Sequence, residues 1–430
     1  MTHPVPSTSH PSALMIGQFS AKTLVERFGS PLYVMDEALI RLRMRLYTTH
    51  FKHPDFQTTV TYAGKAFLTK AMAQIVDQEG LHLDCVSLGE LMTALSVNFP
   101  PQRILLHGNN KSDEELATAI AAGVGLIILD NPSEAHRIKA LQPDHPIAVL
   151  VRVNPGIEAH THAYIKTTTQ DSKFGLSLAD PNTLHFLEEL AHDPNFDLKG
   201  LHCHIGSQIQ SLEAYLETVD VLLNTLVSLH ERGINLTTLN VGGGFGARYL
   251  ESDPVLDYGA LVTQLAHAIA SGCEKRQLRI QRVIIEPGRS IVAEAGTTLY
   301  TVGSLKTTIT GKTYVMVDGS MADHIRTALY QAQYTAVAAQ RLNDAHDQRV
   351  TIAGKACESG DILIHEAYLP VMQPGDLIAV KSTGAYHYSM ASNYNRLLKP
   401  AVVLINGDQA RIIVKRESIA DLLRNDEVIA

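Results

Sequence analysis

Residues 58–86 read TTVTYAGKAFLTKAMAQIVDQEGLHLDCV, and this stretch contains the repeating unit that decides the fold. A β-branched run, Thr58–Tyr62, precedes a segment in which apolar residues recur at helical spacing from Leu68 to Val76. Gly80 is typical of a helix stop, and a second apolar run, Leu81–Val86, follows it. The stretch therefore predicts a strand, a helix and a second strand.

The same alternation continues to about Ala293. Further strands are predicted at Arg103–His107, Gly125–Asp130, Ile147–Val153, Leu198–Ile205, Thr237–Val241 and Arg282–Glu286. Ser112 with Glu115 indicates a capping box at a helix start between two of them. Eight strands alternating with helices over 58–293 fit a (β/α)8 barrel of the TIM type. A doubly wound open sheet is the alternative, but such a sheet usually has fewer strands.

After about Ala295 the pattern changes to strands separated by turns, with little helix between them. These strands are predicted at Tyr300–Lys306, Tyr314–Asp318, Gln348–Gly354, Leu377–Lys381, Ala401–Ile405 and Arg411–Lys415. They predict a C-terminal antiparallel β domain. We expect the domain boundaries 1–36, 37–292 and 293–430, with the short N-terminal segment joining one of the other two domains.

Composition excludes several classes of protein. The chain has 430 residues and a net charge of −8, which argues against binding to nucleic-acid phosphates. The longest uncharged apolar stretch, Ala119–Leu129, is too short to span a membrane, and no Lys or Arg precedes Lys22 as a secretion signal requires. The four cysteines lie far apart, so we expect neither a disulfide framework nor a zinc site. These features predict a soluble, cytoplasmic protein.

Polar residues and glycines follow the predicted barrel strands where each strand ends. They are Lys65, Asp84, Ser87, His107, Asn109, Arg152, Asn154, His204, Ser207, Gly242–Gly244, Glu286 and Arg289. Because the carboxyl ends of barrel strands meet at one mouth, these residues predict a functional site there. We expect His202 and His204 to face opposite sides of their strand, and we expect no metal site.

Two glycine motifs admit other interpretations. Gly311-Lys312-Thr313 resembles the end of a P-loop, but the first glycine of that motif would fall on Lys306. The spacing of Gly242, Gly244 and Ala247 resembles a dinucleotide fingerprint, but no apolar helix follows it. The three glycines instead predict a close backbone approach to an anion.

Lys65 lies among small and apolar residues in the segment Tyr62–Ala66. By itself it could be a strand-end lysine whose ammonium group reaches solvent. An apolar environment would instead favour its neutral, nucleophilic amine. A reactive lysine, a carboxylate at Glu286 and a phosphate-binding glycine loop are together what pyridoxal phosphate requires.

From Phe28 to Ser418 the sequence resembles the alanine-racemase-type (fold-type III) pyridoxal-phosphate decarboxylases. The motifs that carry the resemblance are 62–66 (YAGKA), 107–112 (HGNNKS), 171–175 (DSKFG), 202–208 (HCHIGSQ), 242–244 (GGG), 286–289 (EPGR), 357–361 (CESGD), 384–386 (GAY) and 389–395 (SMASNYN). The resemblance implies a barrel joined to a β domain that includes the N-terminal segment.

The resemblance also implies how the cofactor is bound. Lys65 would hold it covalently, His204 would stack on its ring, and Glu286 would pair with its pyridine nitrogen. Its phosphate would be held by Ser207, Gly244, the loop Glu286-Pro287-Gly288-Arg289 and Tyr386.

For the substrate, the resemblance implies meso-2,6-diaminopimelate, with L-lysine and CO2 as the products. Substrate contacts are implied for Arg289, Arg326, Tyr330, Glu358 and Tyr386. Cys357 would be the proton donor and would reach the site from the other subunit of a homodimer.

Three other activities are alternatives to the decarboxylation of meso-2,6-diaminopimelate. A sister decarboxylase for ornithine, lysine or arginine usually has Cys-Asp where this chain has Cys357-Glu358. A racemase would require a tyrosine base, and a non-catalytic carrier would lack the β domain. Two departures from the family pattern affect only substrate placement: 167–170 lacks a glycine, and Ala322 stands where asparagine is frequent.

Overall fold

The computed structural model describes residues 12–157 and 172–429. Its strands are β1 (Met15–Ile16), β2 (Phe19–Ser20), β3 (Leu32–Asp36), β4 (Gln57–Ala63), β5 (His82–Cys85), β6 (Ile104–Leu106), β7 (Leu126–Leu129), β8 (Ile147–Asn154), β9 (Leu176–Ser177), β10 (Phe196–His202), β11 (Thr238–Asn240), β12 (Arg282–Ile285), β13 (Gly296–Thr307), β14 (Thr313–Val317), β15 (Ala336–Ala338), β16 (Gln348–Ala353), β17 (Ile362–Leu369), β18 (Leu377–Lys381), β19 (Ala401–Asn406) and β20 (Gln409–Val414).

The helices lie between these strands. They are α1 (Ala21–Phe28), α2 (Glu37–His50), α3 (Lys70–Gln78), α4 (Leu88–Leu95), α5 (Asp113–Ala122), α6 (Pro132–Ala140), α7 (Pro181–His192), α8 (Glu213–Glu231), α9 (Tyr258–Lys275), α10 (Arg289–Val292), α11 (Arg326–Tyr330) and α12 (Ile419–Leu423). No helix in the described ranges has both the length and the apolar character needed to cross a membrane.

Within the described residues, eight parallel strands close into a barrel in the order β4-β5-β6-β7-β8-β10-β11-β12. Pairing of β12 with β4 and of β10 with β8 completes the ring. All eight strands coincide with predicted strands to within a few residues at their ends. The predicted (β/α)8 barrel is therefore confirmed, and the open-sheet alternative is excluded because the sheet has no free edge between β4 and β12.

Local sequence explains where the barrel helices begin. The side chain of Ser112 accepts from the backbone N–H of Glu115, and the Glu115 carboxylate accepts from the N–H of Ser112, which completes the predicted capping box of α5. At the start of α6 the side chain of Asn131 accepts from the backbone N–H of Glu134, and Pro132 is the first residue of the helix. Inside the barrel, alternate strand residues form an apolar cluster of Leu105, Leu126, Ile128, Leu150 and Ile284.

The second sheet has the order β17-β16-β14-β13-β3-β19-β20, with β18 paired to β13 and β15. The N-terminal strand β3 lies between β13 and β19 and pairs with both. Most pairs are antiparallel as predicted, but β3–β19 and β14–β16 are parallel. The sheet is therefore mixed, because these two pairs join strands that are not neighbours in a hairpin.

The chain divides into two compact units. The β unit comprises the chain up to Leu39, Arg248–Asp253 and the chain from Ala293 onward. The barrel unit comprises Ile40–Ala247 and Pro254–Val292. Arg248–Asp253, which lies outside the sequence-based limits of the β domain, contributes to that unit through Tyr249, whose carbonyl accepts from Thr335 at 3.0 Å.

A buried ion pair stabilises the barrel beside α6. The Lys111 Nζ lies 3.0 Å from a carboxylate oxygen of Glu134, and both side chains are fully buried. The same ammonium group donates to the carbonyls of Gly108 and Ile128 at 2.7 and 2.6 Å. Removal of this ammonium group would leave the Glu134 charge buried without its ion-pair partner.

We predict that Lys111→Met lowers the free energy of unfolding by about 3–5 kcal/mol, the cost of an uncompensated buried charge. Lys139→Met is the matched control, because Lys139 pairs with Asp193 at 2.6 Å on the surface. That change should cost less than about 1 kcal/mol. Denaturant-induced unfolding measures the free energy of unfolding of both variants. Equal decreases would show that the buried ion pair stabilises the protein no more than the surface pair does.

Candidate active site

The covalent-attachment candidate, Lys65, lies directly after β4. It is the middle residue of a single 3₁₀ turn, Gly64–Ala66. The residues on either side of it are buried, while the Lys65 side chain itself is exposed. The apolar neighbours expected from the sequence are present, but they do not enclose the amine.

Glu286 follows β12 and is buried among three hydrogen-bond donors. Its Oε1 lies 2.9 Å from Nε2 of His107 and 2.7 Å from Nδ2 of Asn240. Its Oε2 lies 3.2 Å from Nε2 of His202. The donors come from the ends of β6, β10 and β11, so only the closed barrel brings them to one carboxylate.

These contacts determine the protonation state of Glu286. Burial alone would raise its pKa, but attraction to His107 and His202 and their hydrogen bonds hold that pKa well below its usual range. Burial lowers the pKa of His202 to about 4, which keeps this imidazole neutral near pH 7 with Nε2–H as its donor to Glu286. Glu286 is therefore a carboxylate near neutral pH.

The pKa of a second buried carboxyl group, Asp84, is shifted in the opposite direction. Its Oδ1 lies 3.9 Å from Nε2 of His107 and has no hydrogen-bond partner among the described residues. Burial raises its pKa, partly opposed by the attraction of His107, and the charge on Glu286 raises it further. The environment thus pushes the pKa values of the two carboxyl groups in opposite directions, a pattern typical of catalytic sites.

The glycine loop, Gly242–Gly244, follows β11 and approaches Glu286 closely. Gly242 and Gly244 have φ values of 70° and 96°. A Cβ on Gly243 would lie only 2.0 Å from the carbonyl oxygen of Glu286. Only glycine fits this position, because any side chain would push the loop away from Glu286.

His204 is positioned by this loop. The backbone N–H of Gly243 donates to Nδ1 of His204 at 3.2 Å, so the proton of the neutral ring lies on Nε2. Burial, with a contribution from Lys65, lowers the pKa of His204 well below its usual value. A neutral, oriented imidazole of this kind can stack on an aromatic ring.

Our expectation that His202 and His204 face opposite sides is wrong. The Glu286 carboxylate hydrogen-bonds His202 and also interacts electrostatically with His204. β10 ends at His202 and His204 lies in the loop after it, so the two histidines are not alternate residues of one strand. Alternate residues of a strand would in any case share a face.

Arg289 and Ser207 complete the barrel part of the candidate site. The Nη2 and Nε atoms of Arg289 donate to Oγ of Ser207 at 2.9 and 3.2 Å. The predicted cofactor residues Lys65, His204, Ser207, Gly244, Glu286, Pro287, Gly288 and Arg289 all belong to the barrel unit. Tyr386, Arg326, Tyr330, Cys357 and Glu358 belong to the β unit.

In the β unit, Arg326 is buried and held by aromatic side chains. Its Nε donates to the hydroxyl of Tyr334 at 2.9 Å, and its guanidinium lies 4.9 Å from the ring of Tyr330 and 5.3 Å from that of Tyr386. Within the described residues, no carboxylate lies within salt-bridge distance of Arg326. Burial and the charge of Arg326 lower the pKa of the neighbouring His324 to about 3.

Cys357 and Glu358 lie in the loop between β16 and β17, and both are exposed. The backbone N–H of Cys357 donates to Oδ1 of Asn395 at 2.5 Å. The Glu358 carboxylate accepts from the hydroxyl of Tyr394 at 3.3 Å. The backbone N–H of Gly360, with Tyr394, lowers the pKa of Glu358.

The sequence missed Asn240 and Tyr334, which contact Glu286 and Arg326. Neither has a distinctive sequence signal, since Asn240 falls inside the predicted strand Thr237–Val241 and Tyr334 is one of 15 tyrosines. Of the two departures from the family pattern, 167–170 lies outside the described residues. Ala322 is buried, and its carbonyl accepts from Ser392 at 2.8 Å.

Comparison with known proteins identifies the family to which the chain belongs. The family model described as "Pyridoxal-dependent decarboxylase, pyridoxal binding domain" matches residues 37–293. The chain therefore belongs to the pyridoxal-dependent decarboxylase family. A buried carboxylate, a nearby lysine, an oriented imidazole and a glycine loop fit pyridoxal phosphate, which is the cofactor of this family.

The names of individual relatives are more specific than the family description. The chain is 46% identical over 416 residues to a diaminopimelate decarboxylase of Bacillus subtilis, covering 96% of this chain and 95% of that protein. The crystal structure of the M. jannaschii diaminopimelate decarboxylase with L-lysine has a TM-score of 0.90 and 32% identity, covering 97% and 96% of the two chains. The Helicobacter pylori enzyme with L-lysine has a TM-score of 0.85 and 30% identity, covering 94% and 98%.

Proposed function

We propose that this protein decarboxylates meso-2,6-diaminopimelate to L-lysine and CO2, the last step of lysine biosynthesis. The observation that carries the chemistry is Glu286, a buried carboxylate surrounded by three donors. Near-full-length similarity to diaminopimelate decarboxylases, two of them solved with lysine, supports the choice of substrate.

When bound, pyridoxal phosphate accepts the electron pair that remains when the bond between Cα and the carboxylate breaks. In this proposal the amine of Lys65 would attach the cofactor, and Glu286 would hold a proton on its ring nitrogen. His204 would lie against the ring. The phosphate would be held by Ser207, Gly244, Pro287, Gly288, Arg289 and Tyr386.

The β unit recognises the substrate and supplies the proton. Arg326 is buried without a carboxylate partner in the described structure, so an anionic ligand group would satisfy its charge. We assign Arg326, Arg289, Tyr330 and Tyr386 to the substrate carboxylate and Glu358 to the distal ammonium group. Cys357 returns a proton to Cα.

The alternative is a sister decarboxylase that acts on ornithine, lysine or arginine. Those substrates have no distal carboxylate, so Arg326 would stay unpaired when they bind. Release of lysine and CO2 from the meso substrate, measured against ornithine and lysine as controls, distinguishes the two activities. Faster CO2 release from ornithine would favour the sister enzyme.

We also infer a homodimer with shared active sites, located in the cytoplasm. The exposed position of Cys357 and Glu358 is consistent with completion of a site by a second subunit. We retain 1–36, 37–292 and 293–430 as the proposed domain boundaries.

The proposed attachment of the cofactor predicts that the purified protein is yellow and that borohydride reduction fixes the cofactor to Lys65. Peptide mapping by mass spectrometry locates the label. Lys65→Ala is the control and should acquire no label. A label on another lysine would contradict the assignment.

A second prediction concerns substrate recognition. Arg326→Met should remove a charge-assisted hydrogen bond worth about 1.5–3 kcal/mol, because methionine retains the length of the side chain but not its charge. Steady-state kinetics should then show kcat/KM for the meso substrate lowered roughly 10- to 150-fold. Unchanged kinetics would mean that the carboxylate is recognised elsewhere.

A third prediction tests the shared site. Lys65→Ala and Cys357→Ala should each be nearly inactive alone, but unfolding, mixing and refolding them should restore activity. Random pairing makes about half of the dimers mixed, and each mixed dimer would have one intact site, so roughly a quarter of wild-type activity should return.

The matched control for mixing places both lesions in the barrel unit. Lys65→Ala mixed with Glu286→Gln leaves one lesion in every site, so no activity should return. If the Lys65→Ala and Cys357→Ala mixture also restores nothing, both residues of a site come from one chain.

A further inference from the structure

Asn240 closes a ring of three hydrogen bonds that joins Glu286 to the glycine loop. The backbone N–H of Glu286 donates to the carbonyl of Gly242 at 2.8 Å. The N–H of Gly242 donates to Oδ1 of Asn240 at 2.9 Å, and Nδ2 of Asn240 donates to Oε1 of Glu286 at 2.7 Å. Asn240 is completely buried.

The direction of these hydrogen bonds follows from chemistry. A peptide N–H can only donate, so the amide oxygen of Asn240 must face Gly242. The NH2 group of Asn240 must then face Glu286, whose oxygen can only accept from it. Because His107 approaches the same oxygen at 2.9 Å, Oε1 has two donors, as an ionised carboxylate prefers.

We propose that Asn240 is a positioning residue that holds the Glu286 carboxylate in place and ties it to the loop Gly242–Gly244. The inference rests on the proposed function, in which Glu286 meets the ring nitrogen of the cofactor and the loop meets its phosphate. One buried amide then fixes the separation between the sites for the two ends of the cofactor.

Other ionisable groups also face Glu286, and the experiment must leave them unchanged. His107 and His202 contact its carboxylate directly. Asp84, Arg152 and His204 also interact with it electrostatically. A substitution confined to Asn240 leaves all of them in place.

The test is Asn240→Asp, which preserves the shape of the side chain and the acceptor for Gly242. It replaces the donor to Glu286 with a second carboxylate at hydrogen-bond distance. Two carboxylates that share a site do not both ionise, so one retains a proton that is lost as the pH rises. We expect affinity of the apoenzyme for pyridoxal phosphate to fall about 10- to 150-fold, the equivalent of about 1.5–3 kcal/mol.

Absorption of the bound cofactor, titrated without amino-acid substrate, should show a pH-dependent step that the wild-type protein lacks. A merely structural role would weaken binding without adding this step. Wild-type affinity and a wild-type pH profile in Asn240→Asp would overturn the proposal. A wild-type protein that binds no pyridoxal phosphate would instead refute the proposed function.

Two further variants complete the design. Asn235→Asp makes the same change at an exposed position and should alter neither readout. Asn240→Ser is neutral and too short to span Gly242 and Glu286, so it should weaken cofactor binding without the added pH-dependent step. If Asn240→Asp fails to fold, Asn240→Ser decides the question, and wild-type affinity in that variant overturns the proposal.

Discussion

A buried carboxylate must be surrounded by hydrogen-bond donors, and the barrel unit meets this requirement at Glu286. Loss of hydration without compensating donors would cost several kcal/mol or force the group to take up a proton. The donors come from His107, His202 and Asn240, which lie at or just after the ends of three different strands. These strands are separated by long helical connections, so the carboxylate can stay ionised only if the whole barrel closes.

The position of the Glu286 carboxylate also explains why the loop Gly242–Gly244 has a glycine at position 243. Gly243 lies so close to the Glu286 carbonyl that a Cβ would reach 2.0 Å from it. This close approach lets the N–H of Gly242 donate to Asn240, which in turn contacts Glu286. It also lets the N–H of Gly243 donate to His204. Glycine at this position is thus a consequence of where the carboxylate lies, as well as of any anion that the loop binds.

The sequence predicted the barrel well because its signals are local: each strand is an apolar run, and helices carry their own caps, as at Ser112. The β domain was harder, since the strands β15 and β17 were not predicted and the parallel pairing of β3 with β19 depends on a distant partner. The residues of the candidate site show the same difference between local signals and contacts that depend on distant residues. A single rule, polar residues at strand ends, singled out Lys65 and Glu286 from sequence alone. That rule did not find Asn240, because the predicted strand Thr237–Val241 placed it inside the strand, whereas β11 ends at Asn240.

Arg326, the residue proposed to recognise the substrate, is a buried cation with neutral and aromatic neighbours. Its guanidinium is held by a neutral hydroxyl from Tyr334 and by the ring faces of Tyr330 and Tyr386. Among the residues that the structure describes, these contacts orient a buried cation without neutralising it, whereas a carboxylate partner would have cancelled its charge. The low pKa of His324 means that no second cation forms beside Arg326 near neutral pH. Under the proposed function, this oriented positive charge would pair with the distal carboxylate of meso-2,6-diaminopimelate, a group that ornithine lacks because its only carboxylate is on Cα.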